Sequence, residues 1–142
     1  MCLAVYIGTN EKQQISEWKE NETLFCFNEL TEDDEIVKAK FVKSYVYYLC
    51  ADTGCSCGFA WEVEDFNNPE EQEAKKSPQK LIDFIKEYTK KENLEFYCCW
   101  EGDWSDEVEE KIELDINNVS LDKYYFMKEK RFVVFKEQQI VS

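Results

Sequence analysis

The sequence has no histidine and a single arginine, Arg131. Without histidine there is no side chain that titrates near neutrality unaided, no Ser–His or Cys–His nucleophile pair, and no imidazole metal ligand. One arginine leaves little capacity for bidentate recognition of phosphate or carboxylate. Glycine and proline are scarce, at 4 and 2 residues of 142. No phosphate loop, Gly/Ser linker or internal repeat is present. The longest apolar stretches, such as Tyr45–Ala51, fall far short of the roughly 20 residues needed to span a bilayer. The start, Met1-Cys2-Leu3-Ala4-Val5-Tyr6, lacks the basic segment of a secretory signal, so a cytoplasmic location is expected.

What the chain does have is acid and aromatic surface. It carries 31 Asp and Glu against 17 Lys and Arg, a net charge of −14. Phosphate backbones are bound through Lys/Arg neutralisation, so DNA, RNA, nucleotides and acidic membranes are disfavoured partners. A basic protein remains an admissible one. Hydrophobic residues at 44 % and aromatics at 15 % suffice for a real core, which argues against disorder.

Apolar periodicity points to one α+β domain over residues 1–142. The expected architecture is a mostly antiparallel sheet of six or seven strands, one long amphipathic helix packed on it, and one short helix. Leu3–Thr9, Thr23–Asn28, Leu94–Trp100, Lys111–Ile116 and Arg131–Lys136 read as strands. Ser44–Ala51 and Gly58–Glu64 read as an antiparallel hairpin around Gly54. Thr31 before Glu32, Asp33, Asp34 and Glu35 suggests a capped short helix reaching about Phe41. Pro78–Glu92, capped by Ser77, is the long helix; Leu81, Ile82, Phe84, Ile85 and Tyr88 form its stripe. Ser120–Met127 is ambiguous between a helical turn and an extended segment.

The seven cysteines are Cys2, Cys26, Cys50, Cys55, Cys57, Cys98 and Cys99. An odd count without a signal peptide argues against a secreted disulfide framework. Cys50, Cys55 and Cys57 flank or occupy the expected hairpin loop, and Gly54 and Gly58 would let that loop fold back. Cys98 and Cys99 point to opposite faces of a strand, so only one of them can join the loop thiols. Four thiolates from Cys50, Cys55, Cys57 and Cys98 (or Cys99) would suit tetrahedral zinc, although Cys-x-Cys is tighter than the usual structural spacing. Thiol redox chemistry is the second reading, but Asp52 is the only charge in the loop and it would not lower a thiol pKa. Burial as small apolar side chains is the third. Cys2 raises the thought of an N-terminal nucleophile; the chain is short for such a fold, and strand-end packing is the simpler reading.

Trp61 and Trp100 fall on apolar strand faces. Trp18 and Trp104 lie among charged residues and are the candidate interaction anchors. Acidic runs such as Glu101–Glu107 lack the ligand spacing of a calcium loop. The start Met1-Cys2-Leu3-Ala4-Val5-Tyr6 and the loop Thr53-Gly54-Cys55-Ser56-Cys57-Gly58-Phe59 resemble a group of small uncharacterised bacterial proteins. The resemblance implies a bacterial cytoplasmic protein and carries over no activity and no functional residue. The functional expectation is therefore a non-enzymatic accessory or protein-interaction domain. The alternative is a cysteine-cluster protein, with structural zinc or a thiol site on the Cys50/Cys55/Cys57 loop.

Overall fold

A computed structural model describes residues 2–138. Six strands form one sheet: β1 (Leu3–Thr9), β2 (Phe25–Asn28), β3 (Tyr45–Ala51), β4 (Leu94–Trp100), β5 (Glu110–Leu114) and β6 (Arg131–Phe135). Their order is β2-β3-β1-β4-β6-β5, antiparallel throughout except for the parallel β5–β6 pair. The helix α1 (Lys76–Tyr88) is the single α-helix among the described residues. The expected α+β class is the one observed.

The β1 sequence explains its central place. All seven of its residues are buried, which requires cover on both faces and partners on both edges. Alternation sends Leu3, Val5 and Ile7 to one face, where they join Leu81, Ile82, Ile85 and Tyr88 of α1 and Phe96 and Cys98 of β4. Ala4 and Tyr6 go to the other face, with Tyr97, Cys99, Phe132 and Val37. That second face is covered by loops, including a 3-10 turn over Glu35–Lys40 that inserts Val37.

Several local expectations are corrected. Gly58–Glu64 is not a strand: Ser56–Phe59 and Val63–Asp65 are 3-10 turns. Both edges of β3 are already taken, by β1 and β2, so no hairpin partner can pair there. The alternating apolar residues still pack. Phe59 is fully buried, and the Trp61 indole N–H donates to the Leu121 carbonyl at 2.8 Å. The short helix is a 3-10 turn, and Thr31 does not cap it. Asp34 instead accepts the Thr31 N–H at 2.6 Å and the Tyr6 hydroxyl at 2.9 Å.

The long helix begins earlier than expected, because 3-10 turns over Pro69–Glu71 and Glu73–Lys75 run straight into it. Ser77 consequently sits inside α1 and serves another purpose. Its hydroxyl accepts from the Asp52 N–H at 3.0 Å and donates to the Leu24 carbonyl at 2.7 Å. The helix also stops earlier, at Tyr88, where the Thr89 hydroxyl bonds back to the Ile85 carbonyl at 2.7 Å. Ser120–Met127 holds only an isolated bridge, Ser120 to Tyr124. Among the described residues no helix is long and apolar enough to cross a membrane.

Candidate functional site

The site arises where β1 runs out of partner. The register pairs β1 with β3 only from Tyr6 to Thr9. Toward its start, β1 leaves the Leu3 and Val5 N–H groups on an edge that β3 does not reach. Buried amides need acceptors, and the chain supplies them from the segment after β3. The Ser56 hydroxyl accepts the Val5 N–H at 2.9 Å and donates to the Leu49 carbonyl at 2.5 Å, joining the two strands. One residue on, Cys57 Sγ accepts the Leu3 N–H at 3.4 Å.

The loop leading there is closed on itself. The Gly54 N–H donates to the Ala51 carbonyl at 3.0 Å, and the Ala51 N–H to the Cys55 carbonyl at 2.9 Å. Gly54 has φ +84°, a conformation costly for other residues, and the Trp18 ring lies over it, 3.3 Å from where a Cβ would stand. At Gly58 a Cβ would stand 2.7 Å from Ala51 Cβ. Gly58 thus permits an approach too close for any side chain, and Gly54 a backbone conformation that other residues adopt only with strain.

The outcome is a thiol trio. The sulfurs of Cys2, Cys55 and Cys57 all lie within 4.8 Å of one another, and each residue is partly exposed. Among the described residues no carboxylate or fourth thiol lies that close to all three. Edges of about 3.8 Å would be required around a tetrahedral ion with metal–sulfur bonds of about 2.3 Å, so the trio needs only small adjustments to bind one.

Electrostatics makes the three thiols unequal. Burial raises the Cys55 pKa, but bonds from the Thr53 hydroxyl, the Cys57 N–H and the Cys57 and Cys2 thiols outweigh it, and the net shift is downward. Cys57 is pushed up to about 11, by burial first and by its neighbours Cys55 and Cys2 against the favourable Leu3 N–H. Cys55 is therefore the most readily ionised of the three, with the Cys57 and Cys2 thiols placed to donate to it.

The structure keeps two of the expected ligands, Cys55 and Cys57, and separates the others from them. Cys50 faces Cys26 across the β2–β3 pair with Cα atoms 5.1 Å apart, and the two form a disulfide, both 1 % exposed. A disulfide sulfur is not a thiolate ligand. Cys98 is buried on the helix-covered face, its thiol donating to the Lys128 carbonyl at 3.2 Å. Cys99 is buried on the opposite face. Burial raises Cys98 to about 12 and Cys99 to about 11, which keeps both protonated and inert. The four-thiolate zinc set is thus not assembled.

Cys2, read from sequence as strand-end packing, is the third member instead. One signal for it was available: a strand apolar on both faces must be central, and the residue just before it lies at the sheet's end, where loops converge. Of the candidate anchors, Trp18 is 38 % exposed but tied down, its indole N–H donating to the Asp52 carbonyl at 3.2 Å. Trp104 packs on the loop-covered cluster and lines a cavity of about 410 Å³ there. Comparison with known proteins adds no relative: no family model, no curated protein and no solved structure matches the chain.

Proposed function

We propose that this chain is a thiolate metal-binding protein whose site is Cys2, Cys55 and Cys57. The observation behind this reading is three convergent, partly exposed sulfurs drawn from two distant segments. Thiolates select soft ions, and a set lacking histidine and carboxylate offers nothing to hard ones. A hydrogen bond from the Leu3 amide to Cys57, and the Thr53 hydroxyl 3.6 Å from Cys55 Sγ, supply the outer support that orients such ligands. The test is titration of reduced, metal-free protein with Cd²⁺ and Zn²⁺. Retention of one ion per chain after gel filtration, with sulfur-to-cadmium absorption lost in Cys55→Ser, is expected. Less than a tenth of an equivalent of cadmium and of zinc alike would remove the reading.

A second reading, an acidic protein-interaction domain, is favoured by the cavity on the loop-covered face. Tyr6, Tyr48 and Trp104 wall it, Glu29, Asp33 and Glu101 line it, and no Lys or Arg does. An ammonium or guanidinium from a basic partner would meet ring faces and carboxylates together. Trp104→Ala should then weaken capture of a lysine-rich peptide. Capture indifferent to both the substitution and salt would dismiss this reading.

A further inference from the structure

Resting on the metal-binding reading, the missing fourth donor decides which ion the trio suits best. Structural zinc sites are closed by four protein ligands, and here the described residues bring together three. Zinc that keeps an open position does so for Lewis-acid chemistry, and its usual ligand sets are rich in neutral histidine. Three thiolates would leave a zinc complex with net charge −1, which weakens the pull on a bound water that such chemistry needs. The trio serves neither role of zinc well.

We propose that Cys2, Cys55 and Cys57 form a three-coordinate, all-sulfur site for monovalent copper. Cu(I) is a soft ion that thiolate ligands select, and it is content with three sulfurs. Each thiol that binds releases its proton to solvent as its sulfur–copper bond forms; no electron moves. The resulting charge on the sulfurs meets one donor already in place, the Leu3 amide at Cys57, and the Thr53 hydroxyl lies 3.6 Å from Cys55 Sγ, where its proton can turn from the Cys55 carbonyl to the sulfur. Partial exposure of all three cysteines gives the ion a direct path from solution or from a carrier. Cys98 and Cys99, buried and directed to opposite faces, take no part.

The experiment starts from protein loaded with Cd²⁺, held anaerobically with ascorbate, and adds one equivalent of Cu(I) delivered as its acetonitrile complex. Cu(I) should displace the cadmium completely. X-ray absorption at the copper edge should then find three sulfur neighbours and no oxygen or nitrogen. Alkylation followed by mass mapping of the same samples should find Cys2, Cys55 and Cys57 protected and no other cysteine altered by copper, which requires no variant to fold. Cys55→Ser and Cys57→Ser should each lower Cu(I) affinity at least tenfold, measured against a colorimetric chelator. If cadmium is bound at the trio but stays when copper is offered, or copper is found with two sulfurs, the copper assignment fails while the metal site stands. If no ion is held, both fail.

Discussion

The two faces of the sheet are closed with different materials. On one, α1 lays Leu81, Ile82, Ile85 and Tyr88 over strand residues that are almost all aliphatic or aromatic. On the other, loops cover the sheet and the burial includes carboxylates. Asp34 is 6 % exposed and Glu95 4 %. Each is matched by donors: Thr31 and Tyr6 for Asp34, and the Val42 and Lys43 amides for Glu95. The helix-covered face is held by area, which is tolerant of chemistry. The loop-covered face is held by a few polar matches, each costly to leave half-made.

The largest expected effect comes from removing area. Leu81→Ala should cost about 2–5 kcal/mol, through lost transfer energy and the cavity left behind, read as a fall in thermal midpoint. Next is Asp34→Ala, which strands the buried Tyr6 hydroxyl and the Thr31 amide and should cost about 1–3 kcal/mol. Asp34→Asn, keeping acceptor oxygen, should recover part of that loss. Equal losses in the Ala and Asn variants would show that area, not hydrogen bonding, holds this face as well.

Alkali sharpens the contrast further. An ordinary cysteine titrates at 9.0, while Cys99 is raised to about 11 by burial and then by Asp103. The folded state thus keeps a proton that the unfolded chain gives up, so stability is intact below pH 9 and declines as pH rises toward 11. In Cys99→Ala that decline should be shallower in chemical denaturation at stepped pH. An unchanged slope would clear Cys99 of the effect. The smallest change is Gly54→Ala. Positive φ and the overlying Trp18 ring predict a cost of about 1 kcal/mol, together with freer tryptophan emission. Improved stability there would mean that the loop is looser than its geometry.

Much of the fold was legible in the chain. Runs of β-branched and aromatic residues located β1 and β6, two-residue alternation located β4, and the 3.6-residue stripe located α1, because these elements bury side chains in a regular rhythm. Gly58–Glu64 shows where rhythm misleads. Phe59 and Trp61 alternate because they reach core from a coiled path, with Val63 only half-buried beyond them, while topology denies that path a strand partner. The site was half legible for a related reason. Cys55 and Cys57 share one loop, so their proximity is local. Cys2 reaches them only because β1 is central and its start lacks a partner on the β3 edge, and strand order does not show in periodicity. Cys50 was lost to Cys26 by the cross-strand register, an equally non-local fact.

The bond between Leu3 and Cys57 spans 54 positions of sequence. An ion shared by Cys2, Cys55 and Cys57 would therefore act as a covalent-like tie across a ring of that size. By the loop-entropy argument used for disulfides, closing it would penalise the unfolded chain by about 4 kcal/mol. Loading would then register as heat resistance, and stripping the ion would return the chain to the stability of its packed core alone.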